Sequence, residues 1–241
     1  MRRIPLRGQV VAAGEEIELP EEVNHYIRNV LRLAPGAVLE LFDGAGRRFA
    51  ATLTGIDPAT VSVSEELPDD VESPCRITLY QALAKGDHFE LVVEKATELG
   101  VAVIVPLETA RTVVKVKADK REAKQERWQR IADGAARQSG RSIVPMVEAP
   151  ATLADALRHP AHATEILLHP HVDGFALADA VSPATPDVGI WVGPEGGFSP
   201  DEVDALLRRA RPVSLGPRIL RTETAGIVAT ALVQYLSGGL G

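Results

Sequence analysis

Cys75 is the only cysteine in 241 residues. An internal disulfide is therefore excluded, and the composition suits a reducing compartment. With one thiol and six scattered histidines, no ligand spacing for a metal exists, and no metal is expected. No apolar run is long enough to span a membrane. The start, Met1-Arg2-Arg3-Ile4-Pro5-Leu6-Arg7-Gly8, is basic but lacks the apolar stretch of a signal peptide. A soluble, cytoplasmic protein is the expectation. Neither the Gly-Lys-Ser/Thr ending of a P-loop nor a G-x-G-x-x-G pattern follows a strand, which argues against a nucleotide-binding α/β enzyme. The net charge of −7 lacks the basic excess of a general nucleic-acid coat.

The charge that is present is unevenly placed. Residues 111–141 hold ten Lys/Arg against four Asp/Glu, whereas residues 1–72 hold seven against thirteen. A basic segment on an acidic chain suits a local phosphate-binding face. It equally suits a solvated helix laced with i,i+4 ion pairs.

Two rhythms divide the chain. Residues 1–72 read as β-rich: Val38–Phe42, a turn at Asp43-Gly44-Ala45-Gly46, a return over Arg47–Leu53, and alternation at Val61–Ser64. One helix is predicted over Glu21–Leu33, closed by Pro35-Gly36. Several short strands in so small a segment suggest a small barrel. The acidic stretch Leu67-Pro68-Asp69-Asp70-Val71-Glu72-Ser73-Pro74 is the best linker. From residue 73 strands alternate with helices. Ile77–Leu83, Val101–Val105, Ile143–Val147, Ile166–Leu168 and Val188–Val192 read as strands. Helices are predicted over Asp87–Leu99, over Lys120–Gln138, and briefly from Thr152. This is the sequence form of an α/β domain with a covered parallel sheet.

Two loops carry the chemistry. Gly193-Pro194-Glu195-Gly196-Gly197 follows a strand and precedes Ser199-Pro200-Asp201-Glu202, a capping box with proline at the first helical position. Its glycines allow close approach of a ligand. The acidic first turn that follows disfavours a phosphate, so the loop fits a phosphate-free ligand with some positive charge, faced by Glu195. Leu215-Gly216-Pro217-Arg218-Ile219-Leu220-Arg221-Thr222-Glu223-Thr224-Ala225 is the second loop. It leads into a helix apolar on nearly every side, which predicts burial in its own domain or at a subunit interface. Arg218 and Arg221 beside such a helix are costly unless paired or used; a structural pair between Arg221 and Glu223 is one outcome.

These residues carry a resemblance. Gly193–Ser199, Leu215–Ala225, Glu94-Lys95-Ala96-Thr97-Glu98-Leu99-Gly100-Val101, Arg127-Trp128-Gln129-Arg130-Ile131-Ala132, Gln138-Ser139-Gly140-Arg141, Val30-Leu31-Arg32-Leu33 and Leu41-Phe42-Asp43-Gly44 resemble, in order, the RsmE family of ribosomal RNA methyltransferases in the SPOUT superfamily. The resemblance implies a PUA-like β-barrel domain over 1–72 that helps bind RNA. It implies a trefoil-knotted α/β methyltransferase domain over 73–241, dimerising through the knot. S-adenosylmethionine would lie against Leu168, His169 (through its backbone) and the adjoining Pro170, against Gly193, Pro194, Glu195, Gly196 and Gly197, and against Leu215, Gly216, Leu220, Arg221 and Thr222.

The implied reaction is methylation of N3 of a uridine in small-subunit (16S) ribosomal RNA. That nitrogen lies on the pairing edge, so the base must be unpaired or flipped out. A cation near the uracil oxygens would stabilise the developing anion, and Arg221 is the first candidate. The proton would leave to Glu195, to Glu223 or to water. Arg2, Arg3, Arg28, Arg32, Arg111, Lys115, Arg137 and Arg141 are candidates for RNA phosphates. The rival readings are a 2′-O-ribose methyltransferase of the same superfamily and a non-catalytic RNA-binding ribosome-assembly factor.

Overall fold

The computed structural model describes residues 2–6, 9, 11–68, 71–169 and 175–240. The chain divides into two compact units, residues 1–72 with 136–144, and residues 73–135 with 145–241. Pro170 of the expected cofactor loop, and Asp69 and Asp70 of the expected linker, lie outside the described residues.

In the first unit, β1 (Arg2–Pro5), β2 (Glu16–Glu18), β3 (Val38–Phe42), β4 (Arg48–Ile56) and β5 (Ala59–Leu67) form one sheet in the order β1-β3-β4-β5-β2. Only the β1–β3 pairing is parallel. Alternation places Leu39, Leu41, Phe49, Ala51, Leu53, Val61 and Val63 in a core closed by Ile4, Leu19 and Ile27. The helix predicted over 21–33 is shorter and less regular. Glu21–His25 is α-helical (α1), and Tyr26–Leu31 widens into a π-helical turn. The turn ends at Arg32, whose φ of 50° is left-handed.

The second unit holds β6 (Arg76–Ala82), α2 (His88–Glu98), β7 (Val103–Glu108), α3 (Arg121–Ser139), β8 (Met146–Val147), β9 (Ala151–Thr152), α4 (Leu153–Ala156), β10 (Thr164–Leu168), β11 (Asp187–Val192), α5 (Pro200–Leu207), β12 (Arg211–Val213) and α6 (Thr222–Ser237). The last residues of α3, from Ala136, count with the first unit. The sheet order is β12-β10-β11-β6-β7-β8, with β9 also on β7, and every pairing is parallel.

Both faces of this sheet are covered, which explains the continuous apolar runs. Ile77, Leu79, Ile104, Ile166, Val188 and Ile190 face a core shared with α2, α3 and α6. Their neighbours Tyr80, Val103, Val105, Leu167 and Trp191 face a second core with Leu153 and Ala156 of α4 and Leu206 of α5.

Within this chain α6 is buried on one face. Its inward face carries Thr230, Gln234 and Ser237 beside Ala229 and Val233, while Leu232 and Tyr235 remain exposed. The inward polar groups are satisfied locally: Thr230 Oγ1 donates to Gly226 O at 2.8 Å, and Gln234 Nε2 donates to Leu99 O at 2.7 Å.

Candidate functional site

The cavity lies at the carboxyl ends of β10, β11 and β12, where open parallel sheets bind ligands. Its volume is about 550 Å³. Leu168, Val192 and Val213 line it, and the three are in register, Leu168 opposite both Val192 and Val213. They form an apolar floor. The walls are the two loops singled out in the sequence. Leu168, His169, Gly193, Pro194, Glu195, Gly196, Gly197, Leu215, Gly216, Leu220, Arg221 and Thr222 all line this one space. Phe198, Arg218 and Ala225 complete much of the rest.

Local chemistry explains the first loop. Gly197 N–H donates to Pro194 O at 2.8 Å, closing a tight turn, and the Gly197 φ of +67° suits glycine. At Gly193 a Cβ would lie 3.1 Å from the Phe198 ring, a tight approach that the ring would have to yield to by a few tenths of an ångström. The capping box holds as expected: Glu202 N–H donates to Ser199 Oγ at 3.3 Å, and Ser199 N–H to Glu202 Oε2 at 2.8 Å. The second Glu202 oxygen accepts Ala110 N–H at 2.7 Å, docking the segment after β7 against the loop.

The helix entering from the second loop begins differently. Arg221 is the N-cap of α6 and makes no side-chain cap. The orphan amides of that turn give the cavity wall a partial positive charge. Arg221 and Arg218 are exposed, line the cavity, and have no hydrogen-bond or ion-pair partner among the described residues. The cost expected for a charge beside a buried helix is thus avoided by solvent. The Arg221–Glu223 pair considered from sequence does not form. Glu223 is 8% exposed, and its Oε1 lies 3.3 Å from Nδ1 of His88. Glu223 is not among the cavity-lining residues. Glu195 is among them; it is exposed, and its Oε1 accepts Lys85 N–H at 3.3 Å.

The arginines expected on RNA separate into groups. Arg141 is 4% exposed, with Nη2 2.8 Å from Glu72 Oε2. Arg3 has Nε 2.9 Å from Glu40 Oε1 and lies over the Phe42 ring. Each of these guanidiniums is paired with an internal carboxylate, which an RNA phosphate would have to displace. Arg137 sits over the Tyr26 ring, 5.3 Å from its centroid. Arg28 pairs loosely with Asp57 at 3.4 Å. Arg2, Arg32 and Lys115 are exposed. Arg111 was expected on phosphate, yet it lines the cavity, and its Nη1 donates to Gly196 O at 3.0 Å. Sequence reasoning missed this contact because 85 residues separate the partners. Among the described residues no cluster of His, Cys, Asp and Glu could hold a metal, and no helix is long and apolar enough to cross a membrane.

Fold and site together are those of a methyltransferase acting on RNA. Residues 71–234 match the family model described as RNA methyltransferase domain, and residues 19–66 match the RNA methyltransferase PUA domain. The ribosomal RNA small subunit methyltransferase E of Synechocystis is 36% identical over 88% of this chain and 70% of that protein. Its counterpart in Bacillus subtilis is 31% identical over 96% of this chain and 94% of its own. A crystal structure of ribosomal RNA small subunit methyltransferase E from Neisseria gonorrhoeae, bound to S-adenosyl methionine, superposes with a TM-score of 0.89 at 34% identity, covering 98% of both chains. The chain belongs to the ribosomal RNA small subunit methyltransferase E family.

Proposed function

We propose that this protein transfers a methyl group from S-adenosylmethionine to N3 of a uridine in the small-subunit ribosomal RNA. The observation that carries the reading is the cavity at the carboxyl ends of β10, β11 and β12. An in-register apolar floor, two glycine-bearing loops and the uncapped start of α6 surround it. The donor set fits S-adenosylmethionine: close backbone for a bent ligand, apolar floor for its adenine, and cationic groups for its carboxylate. When bound, that cofactor supplies an electrophilic methyl group. The protein holds the base and the methyl group in line. Arg221 faces the uracil oxygens and stabilises charge developing on the ring as N3 loses its proton. Glu195, on the cavity wall, takes that proton directly or through water. Glu223 stands apart, held by His88.

The PUA-like domain over 1–72 presents RNA-contacting cations, of which Arg2, Arg28 and Arg32 are exposed. Lys115 extends this set. The expected trefoil knot would bring the cavity loops together, and the methyltransferase domain over 73–241 would dimerise through it. Exposed Ile219, Leu232, Tyr235 and Leu240 support such a contact, since they leave apolar surface beside the cavity helix. The cytoplasm, where ribosomes assemble, is the proposed location.

The test is to map the methyl group by mass spectrometry on digested RNA, using both naked RNA and assembled small subunits as acceptor. Methyl on a uracil base supports the reading. Methyl on a ribose shows the 2′-O-ribose reaction instead. Absence of S-adenosylmethionine binding leaves only a non-catalytic RNA-binding factor.

A further inference from the structure

Gln81 is fully buried near the carboxyl end of β6. Its Nε2 donates to Thr222 Oγ1 at 3.0 Å, and Thr222 Oγ1 donates to Gly193 O at 2.6 Å. A relay therefore runs from the central strand, through the first residue of α6, to the first residue of the glycine loop. Its direction is dictated by chemistry. A hydroxyl has one proton. Because the Gln81 amide donates to the Thr222 oxygen, that proton is left for the Gly193 carbonyl. The other end of the amide has no such task. Gln81 Oε1 is buried without a hydrogen-bond partner among the described residues. It rests against Gly226, where a Cβ would lie 2.2 Å away. Gly226 is one turn beyond Thr222 on the same face of α6. The position thus retains an unsatisfied buried carbonyl, which an apolar side chain of similar size would avoid. What an apolar side chain could not supply is the donor.

We propose that Gln81 is a positioning residue for the methyl donor. It fixes the polarity of the Thr222 hydroxyl, which anchors the Gly193 carbonyl and sets the spacing between the glycine loop and the start of α6. The inference rests on the cavity being the S-adenosylmethionine site. It predicts that shape alone is insufficient at position 81. Gln81→Glu keeps the shape but, when ionised, accepts; the Thr222 proton then turns towards the carboxylate and releases Gly193.

The experiment measures S-adenosylmethionine Kd by calorimetry, and kcat and KM for cofactor and RNA, in the unaltered protein and in Gln81→Glu, Thr222→Val and Thr222→Ser. Circular dichroism checks folding at the same temperature. Gln81→Glu and Thr222→Val are expected to weaken cofactor binding about 10-fold, or about 1.4 kcal/mol, with KM for RNA unchanged. Thr222→Ser keeps the hydroxyl and stays within about 2-fold of the unaltered protein. Binding by Gln81→Glu recovers as the pH falls, because a protonated carboxyl donates as the amide does; a packing defect would not recover. The double variant Gln81→Glu/Thr222→Val is no worse than either single variant, since both break one link. A folded Gln81→Glu whose Kd and kcat stay unaltered even at alkaline pH, where the carboxyl ionises, overturns the inference. If that variant does not fold, equal Kd values for Thr222→Val and Thr222→Ser overturn it. An unaltered protein that fails to bind S-adenosylmethionine overturns the cofactor reading and this inference with it. Normal binding by the unaltered protein and by every variant overturns the inference alone.

Discussion

His88 Nδ1 lies 3.3 Å from Glu223 Oε1, and the carboxylate side chain is 10% exposed where the imidazole is 47% exposed. The half-open imidazole is thus the partner that keeps a nearly buried carboxylate tolerable at the start of α6. Removing it by His88→Ala should destabilise the protein by about 1–3 kcal/mol, towards the lower end because water reaches His88. His88→Lys should restore most of the loss by supplying a cation. Urea denaturation midpoints of the three proteins check this. If Glu223 instead handles the substrate proton, Glu223→Gln will abolish turnover while stability holds. The geometry favours the reverse, with Glu195→Gln giving the larger loss of turnover.

Arg221 has no partner among the described residues and lines the cavity. Its charge is free to act on the base. Arg221→Ala should therefore lower kcat by about 100-fold or more, in the range found for losing one oxyanion donor. Cofactor Kd should change far less. Single-turnover kinetics at saturating cofactor separates the two. Unchanged turnover removes Arg221 from the mechanism.

Arg111 offers a sharper choice. A phosphate contact and a loop brace make opposite predictions for Arg111→Ala. Loss of a phosphate contact reduces the salt dependence of RNA binding by about one unit of slope. Loss of the bond to Gly196 O weakens cofactor binding a few-fold and leaves the slope alone. The 3.0 Å contact favours the second outcome. Calorimetry with cofactor and a salt titration of RNA affinity read both.

Arg141 should behave as a core residue. Glu72 accepts from its guanidinium and also from Ser142 N–H at 3.0 Å and Ile143 N–H at 2.9 Å. Truncating one member of a buried, hydrogen-bonded pair costs about 3–5 kcal/mol. Arg141→Ala should therefore lower the melting temperature sharply, and Glu72→Ala should not add its full effect on top. A double-mutant cycle by thermal denaturation tests the coupling.

Alkaline pH probes the second core. Burial, reinforced by the nearby Glu165 carboxylate, pushes the Tyr80 phenol up to about 12, although Arg209 pulls against it. A raised value means that the folded state holds this proton more tightly. The stabilisation is complete below the unfolded tyrosine value of about 10. It is lost as pH rises through about 12. Denaturant midpoints should fall across this window and fall less steeply in Tyr80→Phe. That variant also lacks the 3.1 Å contact between Tyr80 and His162, so its midpoint at neutral pH should be lower.

The loops were legible because their signals are local. A capping box, glycines before it, and a proline–arginine loop before an apolar helix are each readable within a dozen residues, and they marked the walls of the cavity. Long-range pairing was not legible. Arg141 and Glu72 are 69 residues apart, and Gln81 and Thr222 are 141 apart. Nothing near Gln81 distinguishes it from any polar residue in a strand. β12 is legible only as a short apolar run before the second loop, since Arg211-Pro212-Val213 has neither length nor alternation; its place in the sheet comes from pairing with β10. Which side of α6 meets the sheet is not legible, because periodicity counts apolar residues and cannot tell which side meets a partner.

The floor of the cavity works as a ruler. Leu168, Val192 and Val213 are aligned by the hydrogen-bond ladder rather than by side-chain fit. One residue inserted into β10 would advance its tip by about 3.3 Å. It would also exchange Ile166 and Leu167 between the two cores. Insertions in the loops above carry no such penalty. The depth of this pocket is therefore locked to the strand register beneath its walls.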